Sequence, residues 1–218
     1  MPELPEVETT CRGITPHILG KTVQAVVVRQ SKLRWPIPPT IKRLLPGQTI
    51  DQINRRGKYL LLHTAAGTLI LHLGMSGSLR IANHRDIVEK HDHVDIVFSK
   101  DCILRLRDPR RFGAVLWTSR SPYTHKLIRS LGPEPLSDEF NADRLYDLSR
   151  KRKIAIKPFI MDSKIVVGVG NIYANEALFQ AGIRPTTPAG RISLARYQRL
   201  VHSIKDVLSA AIKAGGTT

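Results

Sequence analysis

The spacing of apolar positions divides the chain in two. In residues 3–19 they recur every three or four places. Val7, Cys11, Ile14 and Ile18 form one stripe, and Gly20 follows as a stop, which predicts a helix. From about 22 to 119 the pattern changes to short β-rich runs. Strands are expected at 22–29, 48–54, 58–63, 68–73, 78–82, 93–99, 102–107 and 114–118, with Ala66-Gly67 and Lys100-Asp101 among the turns. Short strands at this spacing suggest a sandwich or barrel. The Pro-rich stretch 35–40 reads as a loop. Gly132-Pro133-Glu134-Pro135 reads as a linker, and the pattern beyond it is helical: 140–150 with Leu145 and Leu148 inward, 154–161, 171–181 with Ala174, Leu178 and Ala181 on one side, and a long amphipathic helix at 194–214. Residues 166–170 form a Gly-punctuated turn. The expected class is α+β, with a β-rich domain at 1–131, a linker at 132–136 and a helical domain at 137–218.

Charge changes the picture most. The 218 residues carry 34 Lys plus Arg against 18 Asp plus Glu, a formal +16, which favours a polyanion, nucleic acid first. A merely soluble basic protein, or a ribosome-associated one, is the alternative. No run approaches the roughly 20 apolar residues of a membrane span. Carboxylates stand where an export signal would be basic, so the chain is expected to stay inside the cell. Neither Cys11 nor Cys102 has a second cysteine at metal spacing, so no zinc finger can be drawn and two buried thiols are expected.

Several stretches carry chemistry. In Met1-Pro2-Glu3-Leu4-Pro5-Glu6, loss of Met1 would leave Pro2 with a secondary amine that titrates near pH 8 (about 7.7–8.0) and can form a Schiff base. Glu3 would stand beside it as general acid or base. An ordinary helix start, with Pro and carboxylates in the first turn, fits the same residues. Arg55-Arg56-Gly57-Lys58-Tyr59 is a tight turn presenting Lys58, either for phosphate or proton transfer or as a solvated tip. Met75, between Gly74 and Gly77, is a core plug or a wedge between bases. Asp108-Pro109-Arg110-Arg111-Phe112-Gly113 offers guanidinium forks and an aromatic for phosphates and bases, or a salt-bridged loop. His91-Asp92-His93 suits hydrogen bonding, with His91 near phosphate, better than metal, since no third ligand is evident. Arg150-Lys151-Arg152-Lys153 and Lys157 precede Gly168-Val169-Gly170-Asn171 at a helix N-terminus, which together predict a phosphate clamp.

Taken together these motifs resemble the formamidopyrimidine-DNA glycosylases. The resemblance is carried by Pro2-Glu3-Leu4-Pro5-Glu6, Lys58, His72-Leu73-Gly74-Met75-Ser76-Gly77, Asp108-Pro109-Arg110-Arg111-Phe112-Gly113 and Val167-Gly168-Val169-Gly170-Asn171-Ile172-Tyr173-Ala174-Asn175-Glu176. It implies an N-terminal β-sandwich with a leading helix, a helical domain with a helix–two-turn–helix motif, and damaged double-stranded DNA bound between them. The implied activity is removal of oxidised purines (8-oxoguanine, formamidopyrimidines) followed by β-(δ-)elimination. Pro2 would attack C1′, with Glu3 assisting, Glu6 supporting the terminus and Lys58 donating a proton. Met75, Arg110 and Phe112 would fill the gap left by the flipped nucleotide. His91, Arg152, Lys157 and Asn171 would lie on the DNA backbone. A monomer in the bacterial cytoplasm, associated with the nucleoid, is implied.

The family continues beyond the point that matches Thr218, through a loop that closes over the lesion and a four-cysteine zinc finger. This chain is therefore expected to be truncated, to hold no zinc or other cofactor, and to have weakened activity, because affinity follows the number of neutralised phosphates. An endonuclease VIII-like pyrimidine glycosylase and a non-catalytic damaged-DNA-binding remnant are the competing readings.

Overall fold

The computed structural model describes residues 2–216. They form two compact units: Pro2 with Val7–Ile128, and Glu3–Glu6 with the described part of Arg129–Thr218. Among the described residues no helix is long and apolar enough to cross a membrane.

The first unit holds most of helix α1 (Leu4–Ile18), strand β1 (Ala25–Val28), a short helix α2 (Ile41–Leu44) and strands β2 (Gln52–Arg56), β3 (Tyr59–Thr64), β4 (Gly67–His72), β5 (Ser78–Ala82), β6 (Asp92–Ser99), β7 (Cys102–Arg107) and β8 (Ala114–Thr118). They make two four-stranded antiparallel sheets, ordered β1-β6-β7-β5 and β2-β3-β4-β8. One core joins both sheets to α1. Val26, Ile96 and Leu104 come from the first sheet, Leu60, Leu62, Leu69 and Leu71 from the second, and Val7, Cys11, Ile14 and Ile18 from the helix. Leu61 and Ile70, which point to the other face of their sheet, are also fully buried. That explains why β3 and β4 read as continuous apolar runs rather than alternating ones.

Two strands start later than their apolar runs suggest. Thr22 bridges Thr49, Val23 N donates to Gln48 O, and Ile50 N donates to Lys21 O, so these residues pair locally before the sheets begin. Helix α2 has one buried residue, Ile41, too few for any period to show in sequence.

On the face of β6 away from the core, Asp95 accepts from Arg105 Nε (2.8 Å) and Nη2 (2.9 Å) and from Arg29 Nη2 (2.6 Å). Burial pushes the Asp95 carboxyl up, but the Arg105 and Arg29 bonds outweigh it and hold the group below its ordinary range. Asp92 accepts from Arg80 Nη2 at 2.9 Å. These pairs fix β7, which runs directly into Asp108.

The second unit contains α3 (Ala142–Ser149), α4 (Ile156–Met161), α5 (Asn171–Gln180) and α6 (Leu194–Lys213), around Leu145, Phe159, Tyr173, Leu178, Tyr197, Leu200 and Ile204. Asn141 and Ser193 cap α3 and α6 by accepting from Arg144 N and Arg196 N. The stretch read as a linker is bonded into this unit: Gly132 N donates to Ser163 O and Val167 N to Pro133 O, and Pro133 and Pro135 are buried.

Candidate active site

The N-terminal residues are anchored by the start of α5. Glu3 is 1% exposed, and its carboxylate accepts from Gly170 N (2.8 Å), Ile172 N (3.0 Å) and Tyr173 N (3.5 Å). Glu3 N donates to Glu6 Oε2 at 2.8 Å, and Tyr173 Oη donates to Glu6 Oε1 at 2.6 Å. Leu4 N donates to Gly168 O. The glycines of Gly168-Val169-Gly170 make room for this contact. A Cβ on Gly170 would lie 2.3 Å from Glu3 Cδ, and one on Gly168, where φ is +83°, would lie 2.5 Å from Leu4 Cδ1. Pro2, half-buried, is thereby tethered one residue from an immobilised carboxylate.

Glu3 takes up three amides in the stretch where a phosphate clamp is expected, those of Gly170, Ile172 and Tyr173. These three serve the chain's own carboxylate, which suits orphan donors and the helix dipole as a phosphate would; the N–H of Asn171 is not one of them. The adjoining basic run is divided as well. Arg150 is structural: Nε donates to Tyr146 O, Nη1 to Gly190 O and Nη2 to Ile192 O, with the guanidinium 3.8 Å from the Tyr146 ring centroid. Arg152 and Asn171 are exposed and Lys157 is half-buried.

In the first unit, two loops meet at Asp108, which is fully buried. Its carboxylate accepts from Ser76 Oγ (2.8 Å) and Gly113 N (2.8 Å), and Ser76 Oγ in turn accepts from Arg110 N (3.1 Å). Asp108 N donates to His91 O, and its carbonyl oxygen pairs with His93 Nε2 at 2.9 Å. One side chain thus ties the loop carrying Met75 to the loop carrying Arg110 and Phe112. Gly74, with φ +64°, permits their approach, since a Cβ there would lie 2.4 Å from the Phe112 carbonyl carbon. Met75 is 38% exposed and Phe112 44%, so neither is a core plug. Arg110 sits 4.8 Å from the Phe112 ring centroid. Arg111, at φ +56°, makes the left-handed turn between them. Sequence reasoning missed Asp108 and Ser76 because their partner positions are 32 residues apart.

Lys58 is half-buried in the turn between β2 and β3. Arg55 braces that turn, with Nε donating to Glu8 Oε2 (2.8 Å) and Nη1 to Gly57 O (2.9 Å). His72 lies beside Tyr59, ring centroids 4.8 Å apart. Burial first, then the charges of Lys58 and Arg34, push the His72 imidazole down to about 4 against the weaker pull of Asp108. Its Nδ1 accepts from Gly74 N at 2.9 Å, so the neutral ring carries its proton on Nε2. Arg34, His72, Gly74, Met75 and Phe112 line a pocket of about 480 Å³. His91 is half-buried, edge-on to His93 at 6.2 Å.

Cys11 and Cys102 are both buried, and no cluster of three or more His, Cys, Asp or Glu suited to a metal occurs among the described residues.

Known proteins resemble this chain along its whole length. The family model for the formamidopyrimidine-DNA glycosylase N-terminal domain matches residues 1–115, and that for the formamidopyrimidine-DNA glycosylase H2TH domain matches 131–218. The formamidopyrimidine-DNA glycosylase of Stutzerimonas stutzeri is 58% identical over 218 residues, covering all of this chain and 80% of its own length. That of Pseudomonas aeruginosa is 59% identical with the same coverage. The Lactococcus lactis enzyme, solved non-covalently bound to DNA containing an AP site, superposes with a TM-score of 0.92 at 33% identity, over 99% of this chain and 83% of that one. The same enzyme with DNA containing N7-benzyl-Fapy-dG gives 0.93 at 34%, over 99% and 81%. An α+β chain with paired antiparallel sheets, an H2TH unit and these relatives across its whole length belongs to the formamidopyrimidine-DNA glycosylase family.

Proposed function

We propose that the chain excises oxidised purines from duplex DNA and then cleaves the strand, using the nitrogen of Pro2 once Met1 is removed. The observation that carries this reading is the anchored Glu3, the residue that follows Pro2 in the chain, whose carboxylate is held by the Gly170 and Ile172 amides. A protein amine cannot reach C1′ of a stacked nucleotide, so the nucleotide must first leave the helix, at a cost of about a few kcal/mol. Met75 and Phe112 are exposed on loops braced by Asp108, and with Arg110 they are suited to occupy the vacated space.

The neutral Pro2 nitrogen bonds to C1′ as the base departs with its bonding electrons. Glu3 stabilises the positive charge at C1′, takes the proton released by the nitrogen and passes it to the ring oxygen, which opens the sugar. The resulting iminium acidifies C2′. Loss of that proton expels the 3′ phosphate, and Lys58 supplies the proton to the departing group. Glu6 holds the turn through Glu3 N and Tyr173. His91, Arg152, Lys157 and Asn171 are assigned to the DNA backbone. With Glu3 holding the amides of Gly170, Ile172 and Tyr173, Asn171 would contribute its own N–H and its exposed side chain.

Borohydride capture on an 8-oxoguanine duplex tests the reading. The wild-type chain with Met1 removed, verified by intact mass, should give a covalent adduct, and Pro2→Gly should lose at least about 100-fold of the capture rate, within the range for a positioned nucleophile and its proton partner. Equal capture by both would refute it.

A further inference from the structure

Arg34 has no role in the chemistry above, yet it belongs to the same surface. It lies between β1 and α2, in a stretch that is firmly built. Leu33 and Ile37 on either side are buried, and Ile37 N donates to Ser31 O. Arg34 N donates to the carbonyl oxygen of Gly113, the residue after Phe112, at 3.1 Å. Its guanidinium lies 4.7 Å from the Trp35 ring centroid. The side chain is exposed, lines the pocket with Met75, His72 and Phe112, and has no carboxylate within ion-pair distance among the described residues.

We propose that Arg34 is a phosphate-binding residue of the DNA interface, a third arm held in register with the two Asp108-braced loops. This rests on the DNA-repair reading above and extends it. A guanidinium stacked on an indole, with its backbone tied to a neighbouring loop, has lost much of its freedom before any ligand arrives, so less entropy remains to be lost on binding. The fork matches two oxygens of a phosphodiester. The backbone bond to Gly113 sets its reach relative to Phe112. An arginine fixed at that spacing would grip the sugar-phosphate chain beside the step that Met75 and Phe112 enter.

Fluorescence anisotropy with a duplex containing a tetrahydrofuran abasic analogue, at several salt concentrations, tests this. Arg34→Ala should weaken binding about 5- to 20-fold near physiological salt and reduce the slope of log K against log salt by about 1. Arg34→Lys should restore the slope but only part of the affinity, because an ammonium lacks the fork. Lys100→Ala, at the exposed turn between β6 and β7, removes the same formal charge and should leave the slope unchanged. Urea midpoints of all variants establish that they are folded, and Arg34→Gln, which keeps most of the bulk, should behave as the alanine variant. A wild-type slope for both Arg34→Ala and Arg34→Gln, or an equal drop for Lys100→Ala, overturns the assignment while leaving the functional reading intact. If the wild-type chain neither binds this duplex nor is captured on the 8-oxoguanine duplex, the functional reading itself fails and the assignment falls with it.

Discussion

Replacing Glu3 by glutamine keeps the side-chain shape and removes its charge. In the native arrangement Oε2 accepts from Gly170 N and Tyr173 N, and Oε1 from Ile172 N. A glutamine offers one oxygen and one NH2, so at least one buried backbone N–H would face another donor. A hydrogen bond to a charged group contributes about 1.5–3 kcal/mol, and a buried donor left unsatisfied costs about 1–3 kcal/mol. A carboxylate at a helix N-terminus adds about 0.3–2 kcal/mol. These effects share one carboxylate and do not simply add, so the expected loss is about 3–4 kcal/mol. Because Glu3 is also placed in the chemistry, Gly170→Ala separates the roles: it keeps the carboxylate but puts a methyl 2.3 Å from Glu3 Cδ and 2.5 Å from Oε1. Both variants should lower the urea midpoint with the m-value unchanged, and both should slow borohydride capture about 100-fold or more. If Gly170→Ala keeps the wild-type midpoint and capture rate, the anchored carboxylate is not the organising contact and the reasoning fails.

Two further outcomes follow from the first unit. Asp108→Asn removes an acceptor for either Ser76 Oγ or Gly113 N, which should cost about 1–3 kcal/mol and loosen the two loops together. Fluorescence of 2-aminopurine next to the lesion should show slower extrusion, and cleavage of a preformed abasic site should fall less than base release; an equal fall in both would count against a positioning role. His72 titrates at about 4 in the folded chain against 6.5 in the unfolded one, so the unfolded state binds more protons between those values. Stability should therefore decline as pH falls from about 6.5 to about 4, by about 2–3 kcal/mol with allowance for partial solvent access. His72→Gln should flatten that stretch of the pH profile in urea melts at pH 7 and 4.5, and an unchanged profile would contradict the shift.

Periodicity alone determined much of this protein. The stripe Val7, Cys11, Ile14 and Ile18 placed α1, alternation and turn residues placed most strands within a few positions, and the motifs around Met75 and Arg110 singled out residues that the fold leaves exposed on neighbouring loops. A repeating pattern reports which face of an element is buried because burial repeats with the geometry of the backbone. It is silent about which distant group satisfies a given polar atom. That the Gly170 amide serves Glu3, 167 residues away in sequence, is therefore visible only in the fold. Arg150 read as part of the same cationic cluster until Gly190 and Ile192 closed around it. Asp108 and Arg34 gained their importance only through Ser76 and Gly113. Tertiary structure decided these assignments because each depends on a hydrogen bond formed at about 3 Å between segments that only the completed fold brings within reach.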